Sequence, residues 1–330
     1  MLRFFSHDGE RLVLSLYEPT DNATHTTNAV WYDLLNPTPE EDRFVEGCLG
    51  ISIPTREEMA DIEPSARLYN EGGTEFMTMT ALVRIDTDEP AKTPVTFVLR
   101  NNQLVTVRYA DPRPFSLFEA RARKINGRNY LTGELVMVGL VEAFIDRLAQ
   151  VLESTGDDID TVSREVFRNR VDNAPGKSHN LQSLIERIGS RGDMLSLARE
   201  SLVSIVRLTS FHQALEGPNT KAAREMRQEL KVLQRDAAAL TDHASFLSNK
   251  INFLLDATLG LINLEQNQII KIFSVAAVVF LPPTLVASIY GMNYDAMPEL
   301  HWEFGYPFAL GLMILSAVLP YLFFKRKRWL

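Results

Sequence analysis

The sequence has little cysteine, little surplus positive charge and no apolar run at its start. Of 330 residues only Cys48 is a cysteine, which excludes an intrachain disulfide framework and fits a soluble part kept in a reducing compartment. Nothing near Cys48 would activate a thiolate, so it is expected to be a buried, apolar-like side chain. Lys and Arg number 34 against 42 Asp and Glu, a formal net charge of −8. That excludes a general affinity for nucleic acid, which needs clustered cations. No Gly-rich phosphate loop, metal-binding His pair or nucleophile arrangement is present, so the chain is not expected to be an enzyme. Pro175-Gly176-Lys177-Ser178 lacks the upstream glycine of a P-loop. The segment Met1–Asp8 meets charge at once and is not expected to act as a signal peptide.

The apolar material lies at the other end. No charged residue occurs between Lys271 and Asp295, and a second charge-free run extends from Phe304 to Phe324. Each is long enough to cross a hydrocarbon core of about 30 Å as a helix. The spans are placed at about 272–291 and 305–324. Their connection carries Asp295, Glu299 and Glu303 and no Lys or Arg, whereas Lys271 and Lys325-Arg326-Lys327-Arg328 flank the outer ends. The positive-inside rule therefore predicts cytoplasmic N- and C-termini and a short outer loop. Trp302, Tyr306 and Trp329 lie near the expected interfaces.

Residues 1–130 read as a cytosolic α/β domain. Strands are expected at Arg3–Ser6, Leu12–Leu16, Val30–Leu35, Phe76–Ile85, Pro94–Arg100 and Gln103–Tyr109, from β-branched and aromatic residues in partial alternation. Asn101-Asn102 reads as a tight hairpin turn. Helices are expected after Thr38 and Thr55, each with an acidic first turn, and over Phe115–Ile125. Residues 131–270 read as a long-helix stalk: Thr132 to about Phe167, about Asn180 to Leu215, and a third helix from Thr220 with no stop signal for about seventy residues, a rise of about 105 Å. Residues 271–330 hold the two spans, the outer loop and the basic tail. The fold class is thus an α+β membrane protein: N-terminal cytosolic α/β domain, long helical stalk, two C-terminal transmembrane helices.

Around the entry into the first span, Asn263, Asn267, Ile270, Ser274, Ala277, Leu281, Thr284 and Ser288 recur in steps of four and three, the pattern of a seam between supercoiled helices. More than half are Asn, Ser or Thr. Such residues permit close helix packing in lipid, or they line a water-containing pore formed by several copies; the spacing is compatible with both. Pro282-Pro283 predicts a bend within the span.

The loop after this span begins Tyr290-Gly291-Met292-Asn293 and continues to Met297-Pro298-Glu299-Leu300. This motif between two C-terminal spans resembles the CorA family of magnesium channels. The last ~75 residues resemble its short proteobacterial members, through Glu265-Gln266-Asn267 and Leu281-Pro282-Pro283-Thr284 among others. The resemblance implies a homopentamer in the inner membrane, with self-association, divalent metal ions and the lipid bilayer as partners. Mg²⁺ would be both cargo and cytosolic regulator, with Co²⁺ and Ni²⁺ as secondary substrates. It places Gly291, Met292 and Asn293 in the selectivity loop, with Asn293 facing the ion through ion-bound water. It places Ser288, Thr284, Leu281, Ala277, Ile270 and Asn267 along the pore and Phe273 at or beside a hydrophobic constriction. Asp256 would lie in the cytosolic vestibule, where Asn263 is also expected, and Glu299 would serve the outer mouth. Whether Phe273 or Ser274 points inward stays open.

The chemistry suits Mg²⁺, which dehydrates reluctantly: carboxamide oxygens accept hydrogen bonds from its water shell, and conduction needs binding weak enough for exit. Candidate cytosolic sensors are the Asp157–Asp160 patch, Asp236 and Asp242. Two rivals remain, a zinc transporter of the same superfamily and a membrane-anchored coiled-coil scaffold. Met292 and the lack of clustered His and Cys oppose the first, and the loop opposes the second.

Overall fold

The computed structural model describes residues 1–8, 11–16, 29–61, 63–87, 89–124, 129–168, 177–215, 220–292, 297 and 302–327. The chain divides into two compact units, 1–173 with 183–254, and 174–182 with 255–330.

The first unit is built on a seven-stranded sheet: β1 (Leu2–His7), β2 (Leu12–Leu16), β3 (Ala29–Leu35), β4 (Leu68–Glu71), β5 (Thr74–Val83), β6 (Ala91–Arg100) and β7 (Gln103–Arg108). The order is β2-β1-β3-β7-β6-β5-β4. Only β3 and β7 run parallel; every other pairing is antiparallel. Period-two alternation gives the sheet two different faces. Tyr32, Leu34, Val105 and Val107 point into a core completed by Val45, Ile53 and Met59 from α1 (Pro39–Leu49) and α2 (Arg56–Ala60). Thr38 and Thr55 each begin a helix with a complete capping box, to Glu41 and Glu58. A short helix, α3 (Pro64–Arg67), leads into β4. Cys48 is exposed rather than buried, because Phe44, Val45 and Leu49 already fill the inward side of α1.

The other face carries aromatic rings and one buried ionic pair. Trp31 stacks on Phe5 at 4.1 Å and meets Phe118 at 5.7 Å of α4 (Arg113–Ala122). Beside it, Arg108 grips Asp33 with two bonds of 2.9 Å, and neither side chain has any solvent exposure. Arg3 adds a third charge-assisted contact to Asp33 at 2.5 Å. Burial works against the Asp33 carboxylate, but Arg108 and Arg3 outweigh it and hold its pKa below the ordinary range. Arg108 also lies over the Phe115 ring, 4.2 Å from its centre. The hairpin between β6 and β7 turns on Asn101 and Asn102, with φ of 47° and 68°, the left-handed pair of a type I′ turn.

Three long helices follow: α5 (Gly133–Arg168), α6 (Lys177–Ala214) and α7 (Lys221–Tyr290). Gly133 starts α5 against the hairpin, where an added Cβ would lie 2.4 Å from the Leu104 nitrogen. The helices bury residues at heptad spacing, Leu148, Val151, Leu152, Thr155, Ile159, Val162 and Val166 on α5 and Met226, Leu230, Leu233, Ala237, Ala244, Leu247, Ile251 and Leu254 on α7. Their polar edges are tied by Arg187–Glu165, Arg191–Asp158 and Lys250–Asp160. Several contacts fasten α6 to the sheet, among them Lys92 of β6 to Glu200. Ser201 donates to the Thr80 carbonyl at 2.7 Å, while the Thr80 amide donates to Ser204 Oγ at 2.9 Å. At its C-terminal end His212 sits between Glu75 of β5 (2.6 Å) and Glu134 of α5 (3.2 Å).

Burial acts to lower the His212 pKa, yet its bonds to Glu134 and Glu75 prevail and lift it from 6.5 to about 9. The folded state therefore favours the imidazolium, and the stabilisation is complete below pH 6.5 and lost as pH rises through about 9. The unfolding midpoint should fall between those values in the wild type, and His212→Gln should flatten that slope, as read by denaturation at several pH values. Asp33→Ala removes the buried partner of Arg108 and leaves it only the exposed Asp111, a loss expected to cost about 3 kcal/mol. Its denaturation midpoint should drop accordingly, with much of the loss recovered by adding Arg108→Met.

Candidate functional site

Past Leu254 the surroundings of α7 change. Ile269, Ile270, Ile272, Phe273, Phe280, Leu281 and Leu285 are all exposed in the chain, Phe273 by 71%. The second apolar helix, α8 (Gly305–Arg326), exposes Ile314, Leu315, Leu319, Leu322 and Phe323 and ends in Lys325 and Arg326. Both helices are long and apolar enough to cross a bilayer, and only 6% of the apolar window in each is buried. A core helix of a soluble domain would show the opposite, so these surfaces need another apolar environment.

The candidate pore stripe occupies one face of α7. Asn263, Asn267, Ile270, Ser274, Ala277, Leu281, Thr284 and Ser288 are all exposed. Asp256 and Phe273 are exposed as well. The stripe is two positions out of phase with the heptad that packs Met226 to Leu254. At about 100° per residue, this puts it on the opposite side of the helix. Thus the face of α7 that its own chain covers and the face that carries amides and hydroxyls are distinct.

Pro282 and Pro283 lie inside α7 and deprive the carbonyls of Val278 and Val279 of their intrahelical donors. Two residues on, the Thr284 hydroxyl donates to the Phe280 carbonyl at 2.8 Å. The helix ends at Tyr290, where the Gly291 amide bonds the Ala287 carbonyl at 2.9 Å and the Met292 amide bonds Ile289 at 3.3 Å. A Cβ on Gly291 would stand 3.0 Å from that Ala287 oxygen, so the close turn of backbone favours glycine. Met292 is exposed. Asn293, Asp295 and Glu299 lie outside the described residues.

The candidate sensor acids divide. Asp158 and Asp160 are already paired with Arg191 and Lys250, and hydrogen bonding to Lys250 draws the Asp160 pKa below its usual value. Asp157, Asp236 and Asp242 are exposed. Among the described residues no group of three or more His, Cys, Asp or Glu is gathered to hold a metal. The His212 clip went unseen in the sequence because Glu75 and Glu134 stand 137 and 78 positions away, with no local pattern to reveal them.

An α+β unit, a long helix whose C-terminal part is apolar and exposed, and a second apolar helix fit a two-span, membrane-anchored protein. Comparisons with known proteins specify the family. The family described as "CorA-like Mg2+ transporter protein" matches residues 27–326. The magnesium transport protein CorA of Escherichia coli K12 is 38% identical over 309 residues, covering 92% of each chain. That of Pectobacterium atrosepticum is 37% identical over 314 residues, covering 94% of this chain and 95% of its own. The complete structure of the CorA magnesium transporter from Methanocaldococcus jannaschii superposes with a TM-score of 0.77 at 17% identity, covering 100% of this chain and 99% of the other. The chain belongs to the CorA-like Mg²⁺ transporter family.

An ionised group at the middle of α8 would have to enter hydrocarbon. Leu315→Asp should therefore disfavour insertion by about 2.5–3.5 kcal/mol, read as a reduced integrated fraction in a translocon insertion assay; unchanged integration would contradict a spanning α8.

Proposed function

We propose that the chain is a subunit of a Mg²⁺ channel that admits magnesium across the inner membrane, with N- and C-termini in the cytoplasm. The reading divides it into a cytosolic α/β domain (1–130), a stalk (131–270) and a membrane part (271–330). Family membership supports Mg²⁺ as the cargo. The observation that carries the reading is the position of Gly291-Met292-Asn293 at the end of α7, directly beyond the exposed face bearing Asn263, Asn267, Ser274, Thr284 and Ser288.

In this reading five copies place those faces around a common axis. Water between them satisfies the amides and hydroxyls, and it also reaches the carbonyls released by Pro282 and Pro283. Asn293 side chains meet at the outer mouth and accept hydrogen bonds from the ion's own water shell, so that Mg²⁺ is held without being stripped. A ring of carboxylates there would retain a divalent ion too strongly for rapid exit. The outer acids, Glu299 among them, raise the local cation concentration. Leu281 and Phe273 form apolar constrictions that conduct only when widened and wetted. Cytosolic Mg²⁺ closes the channel by bridging carboxylates of neighbouring subunits, for which Asp157, Asp236 and Asp242 are exposed. Co²⁺ and Ni²⁺ are secondary substrates.

Purified protein in liposomes tests this. Wild type should pass Mg²⁺ down its gradient, with flux falling as Mg²⁺ on the cytoplasmic side is raised. Asn293→Ala should lose at least about tenfold of the flux, the effect of about 1.4 kcal/mol at the rate-limiting point, with assembly unchanged. A monomer in lipid, or Asn293→Ala with full flux, would sink the reading and return the molecule to a scaffold. Preferential passage of Zn²⁺ would move it to zinc transport.

A further inference from the structure

Away from the membrane part, the first unit contains a cavity of about 730 Å³, within the range of about 300–1,000 Å³ typical of small-molecule sites. One wall is α6, which presents Arg199, Val203 and Arg207; another is Lys92 to Pro94 of β6, and Arg67 of α3 closes a third side. Four cationic side chains, Arg67, Lys92, Arg199 and Arg207, thus border one space. Among the lining residues the single carboxylate is Glu200, and it is committed to Lys92 at 2.6 Å.

The cations are not equally engaged. Arg67 is held in place by bonds to the Asp61 carbonyl at 2.5 Å and to Thr80 Oγ1 at 3.2 Å, neither of which neutralises its charge. Arg199 and Arg207 are exposed, and among the described residues neither pairs with a carboxylate. They lie on the same side of α6, eight residues and so about 12 Å apart along the axis. Gathering uncompensated like charges is unfavourable, and it is notable in a chain whose net charge is −8. Guanidinium forks match phosphate oxygens in pairs. Cations spread over three walls and two helical turns call for several anionic groups on one molecule. Ala60, Pro94 and Val203 supply an apolar lining beside them.

We propose that this groove binds a small polyphosphate anion of nucleotide size, with Arg199 and Arg207 as its principal phosphate contacts. Binding is read without any ion flux, so the outcome is separate from that of the Asn293 experiment.

The test is calorimetric titration of the full chain in detergent with ATP, with tripolyphosphate and with inorganic phosphate. ATP and tripolyphosphate should bind saturably, more tightly than inorganic phosphate, and more weakly as salt is raised. Arg199→Ala with Arg207→Ala should weaken both by roughly tenfold or more, while Arg199→Lys with Arg207→Lys retains part of the affinity and both variants keep the wild-type melting temperature. No saturable binding by the wild type, equal binding by the double alanine variant, or no preference over inorganic phosphate would each overturn the proposal. So would a smaller oligomer in the double alanine variant, which would assign the groove to contact between copies.

Discussion

One helix has to satisfy two solvents, and the rest of the molecule is arranged around that constraint. Up to Leu254, α7 buries an apolar face against the other helices of its own unit. Beyond it, Ile269, Ile270, Ile272, Phe273, Phe280, Leu281 and Leu285 have no cover from the chain. Each forgoes about 1.5–3 kcal/mol of burial free energy in water, so their sum rivals the whole net stability of an ordinary domain, about 5–15 kcal/mol. Lipid removes that deficit on most sides. It offers no hydrogen-bond partner to the hydroxyls of Ser274 and Ser288 on the exposed stripe.

The soluble unit gives α7 a fixed base. Asp33 and Arg108 join the parallel strands β3 and β7 through a charge pair without solvent contact. Its value lies in register, because displacement by one residue would bury one partner without the other. From that sheet the order is transmitted by discrete contacts: Ser201 and Ser204 to Thr80, and His212 to Glu75 and Glu134. The helix α6 is thereby tied to strand and helix at both its middle and its end. In the proposed channel, any movement of the α5–α7 layer would have to strain or break these links.

Much of the fold was readable from local pattern. The strands alternate over a half-apolar face, Thr38 and Thr55 carry their capping partners three residues on, and Asn101-Asn102 supplies the left-handed conformations of a type I′ turn. The long helix was legible from what it lacks, a stop signal between Thr220 and Tyr290. The short strand β4 escaped because only four partly exposed residues form it. Yet Gly72-Gly73, with φ of 58° and 78°, is the turn that joins it to β5, and a Gly-Gly pair ahead of Phe76 was a usable signal. Cys48 was misjudged because its helix face had other occupants. Of the candidate site, the loop motif and the four-three stripe are contiguous or periodic, so sequence reveals them. The His212 clip and the Arg199–Arg207 groove join residues of distant segments, and only the fold brings those together.

The phase of α7 bears on the choice between a scaffold and the proposed channel. A scaffold would carry the heptad seam of Met226 to Leu254 onward with the same residue types, since a coiled coil gains from leucine and isoleucine at the contact positions. That register persists in Thr258, Leu261, Val275, Val279 and Val286, of which Thr258 and Val275 are buried, while a second stripe that a scaffold does not need, with Asn, Ser and Thr in the majority, runs two positions out of phase on the opposite side of the helix. Packing in lipid accounts for the small size of Ser274, Thr284 and Ser288, while Asn263 and Asn267 precede Lys271 and lie in the stalk. In the proposed channel, water on that face serves the polar side chains of the stripe. A closed ring of copies in that channel keeps the stripe in contact with water inside the membrane. The segment after α7 in the proposed channel lies at the rim of that ring, where Gly291-Met292-Asn293 would meet the incoming ion.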